Sequence, residues 1–135
     1  MASVVRVPVD REIDVVTARL RGSELAERLG FSATEVYAIA IAVSEVARNI
    51  VRYARHGEIV FSEIDRSGRK GLSIVARDNG PGIADLAQAK SPGFSTGNSL
   101  GLGLGSAERQ MDEFDMASSL GQGTTVTMTK WQNGK

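Results

Sequence analysis

The segment Glu45-Val46-Ala47-Arg48-Asn49 lies within a long apolar repeat, and the other motifs of the chain can be interpreted around it. Apolar side chains recur in this region at spacings of three and four residues, at Val36, Ile39, Val43, Val46 and Ile50. This is the period of a helix that buries one side. The sequence therefore predicts a helix from about Thr34 to Ala54.

Glu45 and Asn49 form a polar pair on this helix. Because they are four residues apart, their side chains project from the same face, one turn above the other. A carboxylate and an amide oxygen would then point to a common position. The same spacing is also typical of an ordinary solvent-exposed face, so the pair gains significance only from motifs elsewhere in the chain.

The composition excludes several classes of function. The 135-residue chain carries 16 basic and 16 acidic residues, so its net charge is zero, and no block of Lys or Arg indicates a nucleic-acid surface. It has no cysteine and one histidine, so any metal must be held by oxygen ligands. The N-terminus lacks the apolar core of a signal peptide, and no apolar run could span a bilayer. We expect one cytoplasmic domain, residues 1–135, with no nucleic-acid or membrane partner.

The N-terminal half of the chain predicts an edge strand and two helices. Residues 4–9 are typical of a strand, and Asp10 is a suitable N-cap for the first helix. That helix is expected to end at Gly30, with an interruption near Gly22. The pattern Ser32-x-x-Glu35 predicts a capping box at the start of the second helix.

The remaining elements are predicted from composition and turn residues. His56 directly follows the second helix, and we expect it to make a cationic contact with the helix C-terminus. A β-hairpin is expected next, because two β-rich runs flank a polar, turn-forming segment. The later elements are a glycine-opened helix over 101–114, a short strand over 114–118 and a last strand over 124–131.

The motif Asp78-Asn79-Gly80-Pro81-Gly82 follows a predicted strand directly. It could be only a tight turn, since Asn-Gly and Pro-Gly both favour turns. As a ligand site, its glycines would let a flat ring approach the backbone. An ionised Asp78 accepts hydrogen bonds but donates none. A buried acceptor would select adenine, which offers an amino donor, over guanine, which offers an oxygen.

Two further glycine motifs follow. Gly101-x-Gly103-x-Gly105 precedes a predicted helix, where glycines expose backbone N–H groups to a phosphate. It matches neither the P-loop nor the dinucleotide fingerprint, and it could be only a loop. Gly121-Gln122-Gly123-Thr124 could be only a hairpin turn. Alternatively, Thr124 could support the base-binding Asp78 through its hydroxyl.

Four motifs, taken in order, resemble the N, G1, G2 and G3 boxes of the GHKL ATPase superfamily. They are Glu45-x-x-x-Asn49, Asp78-x-Gly80-x-Gly82, Gly101-x-Gly103-x-Gly105 and Gly121-x-Gly123-Thr124. Within the superfamily, the chain resembles the RsbT-type serine kinases of bacterial stress-response switch modules. The stretches that carry this likeness are Ser44-Glu45-Val46-Ala47-Arg48-Asn49, Ser95-Thr96-Gly97 and Gln110-Met111-Asp112-Glu113-Phe114.

The resemblance implies a role for each matching residue. Asn49 would coordinate Mg²⁺, Glu45 would act as general base or orient the attacking hydroxyl, and Asp78 would hold the adenine amino group. Arg48 could contact phosphate or a partner, or form a surface ion pair, and Arg109 is a weaker phosphate candidate. The other implied nucleotide contacts are Gly80 and Gly82 at the base, Gly101, Gly103 and Gly105 at the triphosphate, Thr124 beside the base, and an ATP lid over 87–100.

The resemblance also implies the fold and the activity. The fold would be an α/β (α+β) two-layer sandwich of the Bergerat type, with a mixed, largely antiparallel sheet and helices on one face. ATP's γ-phosphoryl would pass to a serine of a STAS-domain antagonist, and a PP2C-type phosphatase would be a second client. Three alternatives stay open: an anti-sigma kinase that binds a sigma factor, a nucleotide-dependent binding module with little catalysis, and a histidine-kinase catalytic domain. The absence of a phosphoacceptor His helix argues against the last.

Overall fold

Two long helices pack against one face of a five-stranded antiparallel sheet in the computed structural model, with strand order β1-β2-β3-β5-β4. The structure describes residues 4–54, 56–79, 104–119 and 123–132, without the side chain of Ser119. The elements are β1 (Val4–Val9), α1 (Glu12–Leu29), α2 (Ala33–Asn49), a π-helical turn (Ile50–Ala54), β2 (Gly57–Arg66), β3 (Arg69–Asp78), α3 (Gly105–Gln110), β4 (Glu113–Ser119) and β5 (Gly123–Trp131). The expected two-layer α/β sandwich is confirmed, and every described strand pairing is antiparallel.

Helix α1 begins at a box closed by Asp14. The Asp14 carboxylate accepts hydrogen bonds from the backbone N–H groups of Asp10 and Arg11, both at 2.9 Å. These two bonds lower the pKa of Asp14 below its ordinary value, because they favour the charged form. The residue at the N-cap position is Arg11, so the expectation that Asp10 caps the helix is wrong by one residue.

The predicted interruption of α1 at Gly22 is also wrong. The helix is continuous through this position, and Gly22 is buried. A Cβ atom at Gly22 would lie 3.0 Å from Cε1 of Phe61, a fully buried ring on β2. The glycine therefore allows close approach of helix and sheet, which is a packing role and not a break.

Helix α2 begins with the predicted capping box. The Glu35 backbone N–H donates to Ser32 Oγ at 3.1 Å, and the Ser32 backbone N–H donates to Glu35 Oε1 at 2.8 Å. The helix reaches Ala54 as expected, but its last segment, Ile50–Ala54, is π-helical. No helix among the described residues is both long enough and apolar enough to cross a membrane.

The β2–β3 hairpin is confirmed, with longer strands and a shorter turn than the composition suggested. Only Ser67 and Gly68 connect the strands, with φ values of 57° and 86°. Positive φ at both central residues is the type I′ arrangement that suits the twist of a hairpin. The Gly68 N–H donates to Asp65 Oδ1 at 2.8 Å, which fixes the turn.

The helix predicted over 101–114 is shorter in the structure. Of its residues, 101–103 lie outside the described part of the chain, and α3 ends at Gln110. Met111 is already extended, and Phe114 belongs to β4. The Gln110 carbonyl accepts from Lys130 Nζ at 2.8 Å, which satisfies a carbonyl at the helix end. The two last strands are confirmed as β4 and β5.

The core lies between the helices and the sheet. Alternate residues of the central strands contribute to it, as the two-residue period of a strand requires. The fully buried side chains include Phe61, Ile39, Ile59, Leu72, Ile74, Leu104, Met128, Val9, Val43 and Val46. This core fixes α2 over the sheet, so that its C-terminal end lies beside the strand ends that carry the candidate site.

Candidate functional site

Asp78, the last residue of β3, lies between the first residues of two neighbouring strands. Gly57 of β2 is its direct partner in the antiparallel register, and Gly123 opens β5 on the other side. Asp78 is half-buried, and its Oδ1 accepts a hydrogen bond from the Thr124 backbone N–H at 3.2 Å. The carboxylate at the end of this central strand is therefore held by a backbone N–H group of β5.

Gly123 occupies a position that only glycine can fill. Its φ is +86°, and a Cβ atom there would collide with the Asp78 carbonyl oxygen and lie 3.1 Å from the Asn79 Cα. Left-handed φ is strained for residues with a side chain. The third glycine motif therefore fixes the backbone of the first motif, a link that the sequence suggested only through a hydroxyl.

The expected hydroxyl contact of Thr124 is wrong in its details. The Thr124 Oγ1 lies 2.9 Å from Ser118 Oγ on β4, and the Ser118 hydroxyl also lies 3.1 Å from the Gly123 carbonyl oxygen. The Thr124 residue does support Asp78, but through its backbone N–H. Ser118, which sequence reasoning missed, ties the start of β5 to β4.

Glu45 connects α2 to the helix that follows the glycine run. Its Oε1 accepts a hydrogen bond from the Ala107 N–H at 2.8 Å, across 62 residues of sequence. Ala107 is in the first turn of α3, where backbone N–H groups lack helical partners. The second carboxylate oxygen, Oε2, makes no hydrogen bond within the described residues.

Asn49 is the last residue of α2, immediately before the π-helical turn. Its side chain is half-buried and makes no hydrogen bond to another described residue. π-Helical turns are uncommon and occur frequently at functional sites. Glu45 and Asn49 thus lie in the last two turns of α2, which contact α3 and continue into the π-helical turn.

The two arginine candidates lie at the surface. Arg48 is exposed and forms no ion pair within the described part of the chain, and Arg109 is exposed on α3. Arg77, adjacent to Asp78, pairs with Glu58 at 2.9 Å. Exposed pairs of this kind contribute little to stability.

His56 does not make the expected contact with the helix C-terminus. Its Nδ1 lies 3.1 Å from Asp10 Oδ1, and both side chains are largely exposed. Asp10 immediately follows β1, so this contact joins the segment after the π-helical turn to the segment before α1.

Several sequence-based site residues lie outside the described residues. These are Gly80, Gly82, Gly101, Gly103, Gly121 and the lid region 87–100. Gly105 is described, and it is buried as the first residue of α3. The described contacts join Glu45 to α3, which begins at Gly105, and join Asp78 to Thr124. Ile50, the residue after Asn49, lies next to Gly57, the strand partner of Asp78.

The chemistry of these residues fits a nucleotide and a magnesium ion. Asp78 offers an acceptor to an amino group, and the glycine at 123 makes room for the backbone of Asp78 and Asn79. Asn49 offers an amide oxygen, the hard ligand that Mg²⁺ accepts. Within the described residues no group of three or more His, Asp or Glu could form a metal site. A magnesium ion with one protein ligand, completed by phosphates and water, is compatible with this.

Two further residues of this region were not identified from the sequence. Gly57 was interpreted only as the end of a helix, although a glycine that opens a strand can signal close backbone approach. The Ala107 N–H has no sequence signature, because every non-proline residue carries a backbone donor. Only its position at the start of α3 makes it a partner for Glu45.

Comparisons with known proteins identify the family of the chain. The model of the family described as histidine kinase-like ATPase domain matches residues 7–130. The chain is 43% identical over 125 residues to the Bacillus subtilis protein named serine/threonine-protein kinase RsbT, covering 93% of this chain and 94% of that protein. It is 33% identical to an anti-sigma F factor of Thermoanaerobacter sp., covering 84% of this chain and 82% of that protein.

A solved structure shows the same fold. The crystal structure of the RsbU and RsbW domains of Rv1364c from Mycobacterium tuberculosis superposes with a TM-score of 0.64 at 19% sequence identity. The superposition covers 99% of this chain and 33% of the other chain, so the likeness concerns one part of a longer protein.

Proposed function

The chain belongs to the histidine kinase-like ATPase domain family and to the class of ATP-dependent protein serine/threonine kinases, and on this premise we propose its reaction and partners. It transfers the γ-phosphoryl group of ATP to a serine of a small STAS-domain antagonist protein in a partner-switching module. When the antagonist is released, the kinase binds a second client such as a PP2C-type phosphatase. The whole chain acts as one unit in the cytoplasm.

One observation carries this proposal. The hydrogen bond from the Ala107 N–H to Glu45 Oε1, 2.8 Å long, joins the helix with the Glu45-Asn49 pair to the helix after the glycine run. The bond supports the assignment of these two motifs, each weak individually, to one site.

In this proposal the nucleotide is held at two places. Asp78 accepts the adenine amino group, and Gly80 and Gly82, which lie outside the described residues, would let the base approach the backbone. The glycines at 101, 103 and 105 supply backbone N–H groups to the phosphates. Asn49 would hold Mg²⁺, and the bound ion would supply positive charge to the phosphates.

Glu45 has two oxygens for two tasks. Oε1 accepts from Ala107, and Oε2 is available to a serine hydroxyl of the antagonist. As the hydroxyl oxygen forms its bond to the γ-phosphorus, the bond to the β,γ-bridging oxygen breaks and the hydroxyl proton passes to Glu45. The leaving group is ADP. In such transfers the protein mainly positions groups and stabilises charge.

A second candidate is an anti-sigma kinase that binds a sigma factor directly. The similarity to a protein named anti-sigma F factor supports it. The similarity to the protein named RsbT is higher and covers more of the chain, which favours a client other than a sigma factor.

The proposal is tested by capture followed by phosphorylation. The protein is immobilised on a support and exposed to an extract of its native cells. The proteins that bind are incubated with labelled ATP and Mg²⁺, and phosphorylated residues are mapped by mass spectrometry. We expect phosphoserine on a small STAS-domain partner. Asn49→Ala is the matched control, because it should lose magnesium-dependent nucleotide binding and give no label.

Two outcomes would contradict the proposal. Label on His56 of the protein itself would indicate histidine autophosphorylation. Stable capture of a partner without any phosphoserine would support a nucleotide-dependent binding module.

A further inference from the structure

Gly57 lies between the π-helical turn that follows Asn49 and the end of β3 that carries Asp78. It is the first residue of β2 and pairs with Val9 on one side and with Asp78 on the other. A Cβ atom at this position would lie 2.5 Å from the Arg77 carbonyl oxygen, 2.8 Å from Ile50 Cγ2 and 3.2 Å from Asp78 Cβ. Real Cβ atoms essentially never approach other atoms to 2.5 Å, so any side chain at Gly57 would displace its neighbours.

The neighbours of Gly57 belong to different motifs. Ile50 directly follows Asn49, begins the π-helical turn and is 2% exposed. Arg77 and Asp78 end β3. Close-packed interiors transmit such displacements, because few voids are available to absorb them. The gap at Gly57 therefore sets the separation between the end of α2 and the end of β3.

We propose that Gly57 is a positioning residue for base recognition, which fixes the Asp78 carboxylate relative to Asn49. This inference rests on the proposed roles of Asp78 at adenine and of Asn49 at magnesium. Gly57 contacts no ligand itself; it acts by allowing β2, the π-helical turn and the end of β3 to approach one another. The predicted consequence is that Gly57 governs selection of adenine over guanine as well as affinity.

The chain offers a matched control on the same hairpin. Gly71 lies near the other end of β3, where a Cβ atom would lie 2.6 Å from Trp131 Cε3 and 3.0 Å from the Lys130 carbonyl oxygen. Gly57→Ala and Gly71→Ala thus introduce similar steric conflicts in opposite regions of the hairpin. Both should lower the melting temperature, but only the first should alter nucleotide selection.

The test is titration calorimetry of ATP and GTP with the wild-type chain and three variants. For Gly57→Ala we expect the ratio of ATP to GTP affinity to fall by about tenfold, which is the effect of losing about 1.4 kcal/mol of discrimination. Gly71→Ala should keep the wild-type ratio. Asp78→Asn should lose the ratio directly. A wild-type ratio in Gly57→Ala, with the ratio lost in Asp78→Asn, would overturn the inference and leave the proposed function intact.

A different result would contradict the proposed function itself. If the wild-type chain binds ATP and GTP equally, Asp78 does not select adenine, and the basis for a positioning residue is lost. If Gly57→Ala does not fold, the wild-type chain is examined by NMR. ADP should then shift the Gly57 amide resonance and leave that of Gly71 unchanged, whereas an unshifted Gly57 resonance would overturn the inference.

Discussion

The two ends of the β2–β3 hairpin both use glycine to allow close packing, but they enclose different groups. At the turn end, Gly71 makes room for Trp131, whose indole N–H donates to Glu113 Oε2 at 2.9 Å and whose ring lies 4.5 Å from the Arg66 guanidinium carbon. At the other end, Gly57 makes room for the end of β3 and Asp78. The first arrangement packs a glycine against an aromatic side chain, and the second packs a glycine against the strand end that carries a carboxylate.

The comparison shows how one kind of residue serves two purposes. Trp131 is 5% exposed. Its burial and its hydrogen-bonded indole N–H group therefore contribute to the stability of the fold. Asp78 is held by the Thr124 backbone and remains half-buried. Substitutions at the turn end should therefore change stability alone, whereas substitutions at the Asp78 end should change nucleotide binding.

The largest effect is expected from a pair of glycines that share one φ. Gly123 and Gly68 both have φ of +86°, but a Cβ atom at Gly68 meets nothing within 4 Å, whereas one at Gly123 would meet the Asp78 backbone. Gly123→Ala should abolish measurable ATP binding in calorimetry. Gly68→Ala should cost about 1–2 kcal/mol of unfolding free energy, from left-handed strain alone, with ATP affinity unchanged. Equal ATP affinities in the two variants would contradict the distinction.

A smaller effect is expected from a pair of aspartates. Asp78 accepts from the Thr124 N–H and Asp65 accepts from the Gly68 N–H. Asp78→Asn would place a donor amide against the adenine amino group, so ATP binding should weaken by about 1–3 kcal/mol and the preference over GTP should vanish. Asp65→Asn is the control, and calorimetry should show wild-type nucleotide binding. An unchanged preference in Asp78→Asn would remove Asp78 from the base site.

Much of the fold was predictable because it depends on local patterns. The three-and-four spacing predicted α2, the Ser32-x-x-Glu35 pattern predicted its capping box, and turn residues predicted the hairpin. Phe114 was included in the predicted helix because an apolar residue seven positions after Ala107 fits a helical period. In the structure it belongs to the strand β4. Tertiary pairing with β5 decides between helix and strand.

The residues of the candidate site could be named from the sequence and stay predictions, whereas the contacts that hold them could not be foreseen. Glu45, Asn49 and Asp78 were proposed from motif order, whereas the hydrogen bonds that hold Glu45 and Asp78 come from the backbone groups of Ala107 and Thr124. Backbone groups are the same at every position, so the sequence carries no sign of them. Steric space at a glycine also depends on neighbours that are distant in sequence, as at Gly57.

The smallest effect is expected on the stability of the protein at low pH. It comes from the Asp14 carboxylate, which accepts the backbone N–H groups of Asp10 and Arg11 just after β1. Because backbone bonds lower the pKa of Asp14 below 3.8, its charged form stabilises the folded state fully above that pH, and this contribution is lost as the pH falls toward the folded-state pKa. Asp14→Asn should be less stable than wild type at pH 7 and converge with it as the pH falls through the lowered pKa of Asp14. Urea unfolding from pH 7 into the acid range is the measurement. A parallel pH dependence in wild type and Asp14→Asn would contradict the assignment.

The central claim is that Glu45 assists transfer of the γ-phosphoryl group from the nucleotide bound at Asp78. Its most direct test is the initial rate at which Glu45→Gln forms phosphoserine on the captured antagonist. The substitution keeps an oxygen that can accept from the Ala107 N–H and removes only the charge, while Glu45→Ala removes both. We expect Glu45→Gln to bind ATP like wild type and to phosphorylate serine about a hundredfold more slowly, the usual contribution of a general base. Glu45→Ala should also bind ATP more weakly. A wild-type rate in Glu45→Gln would show that Glu45 only caps α3, and would contradict the account.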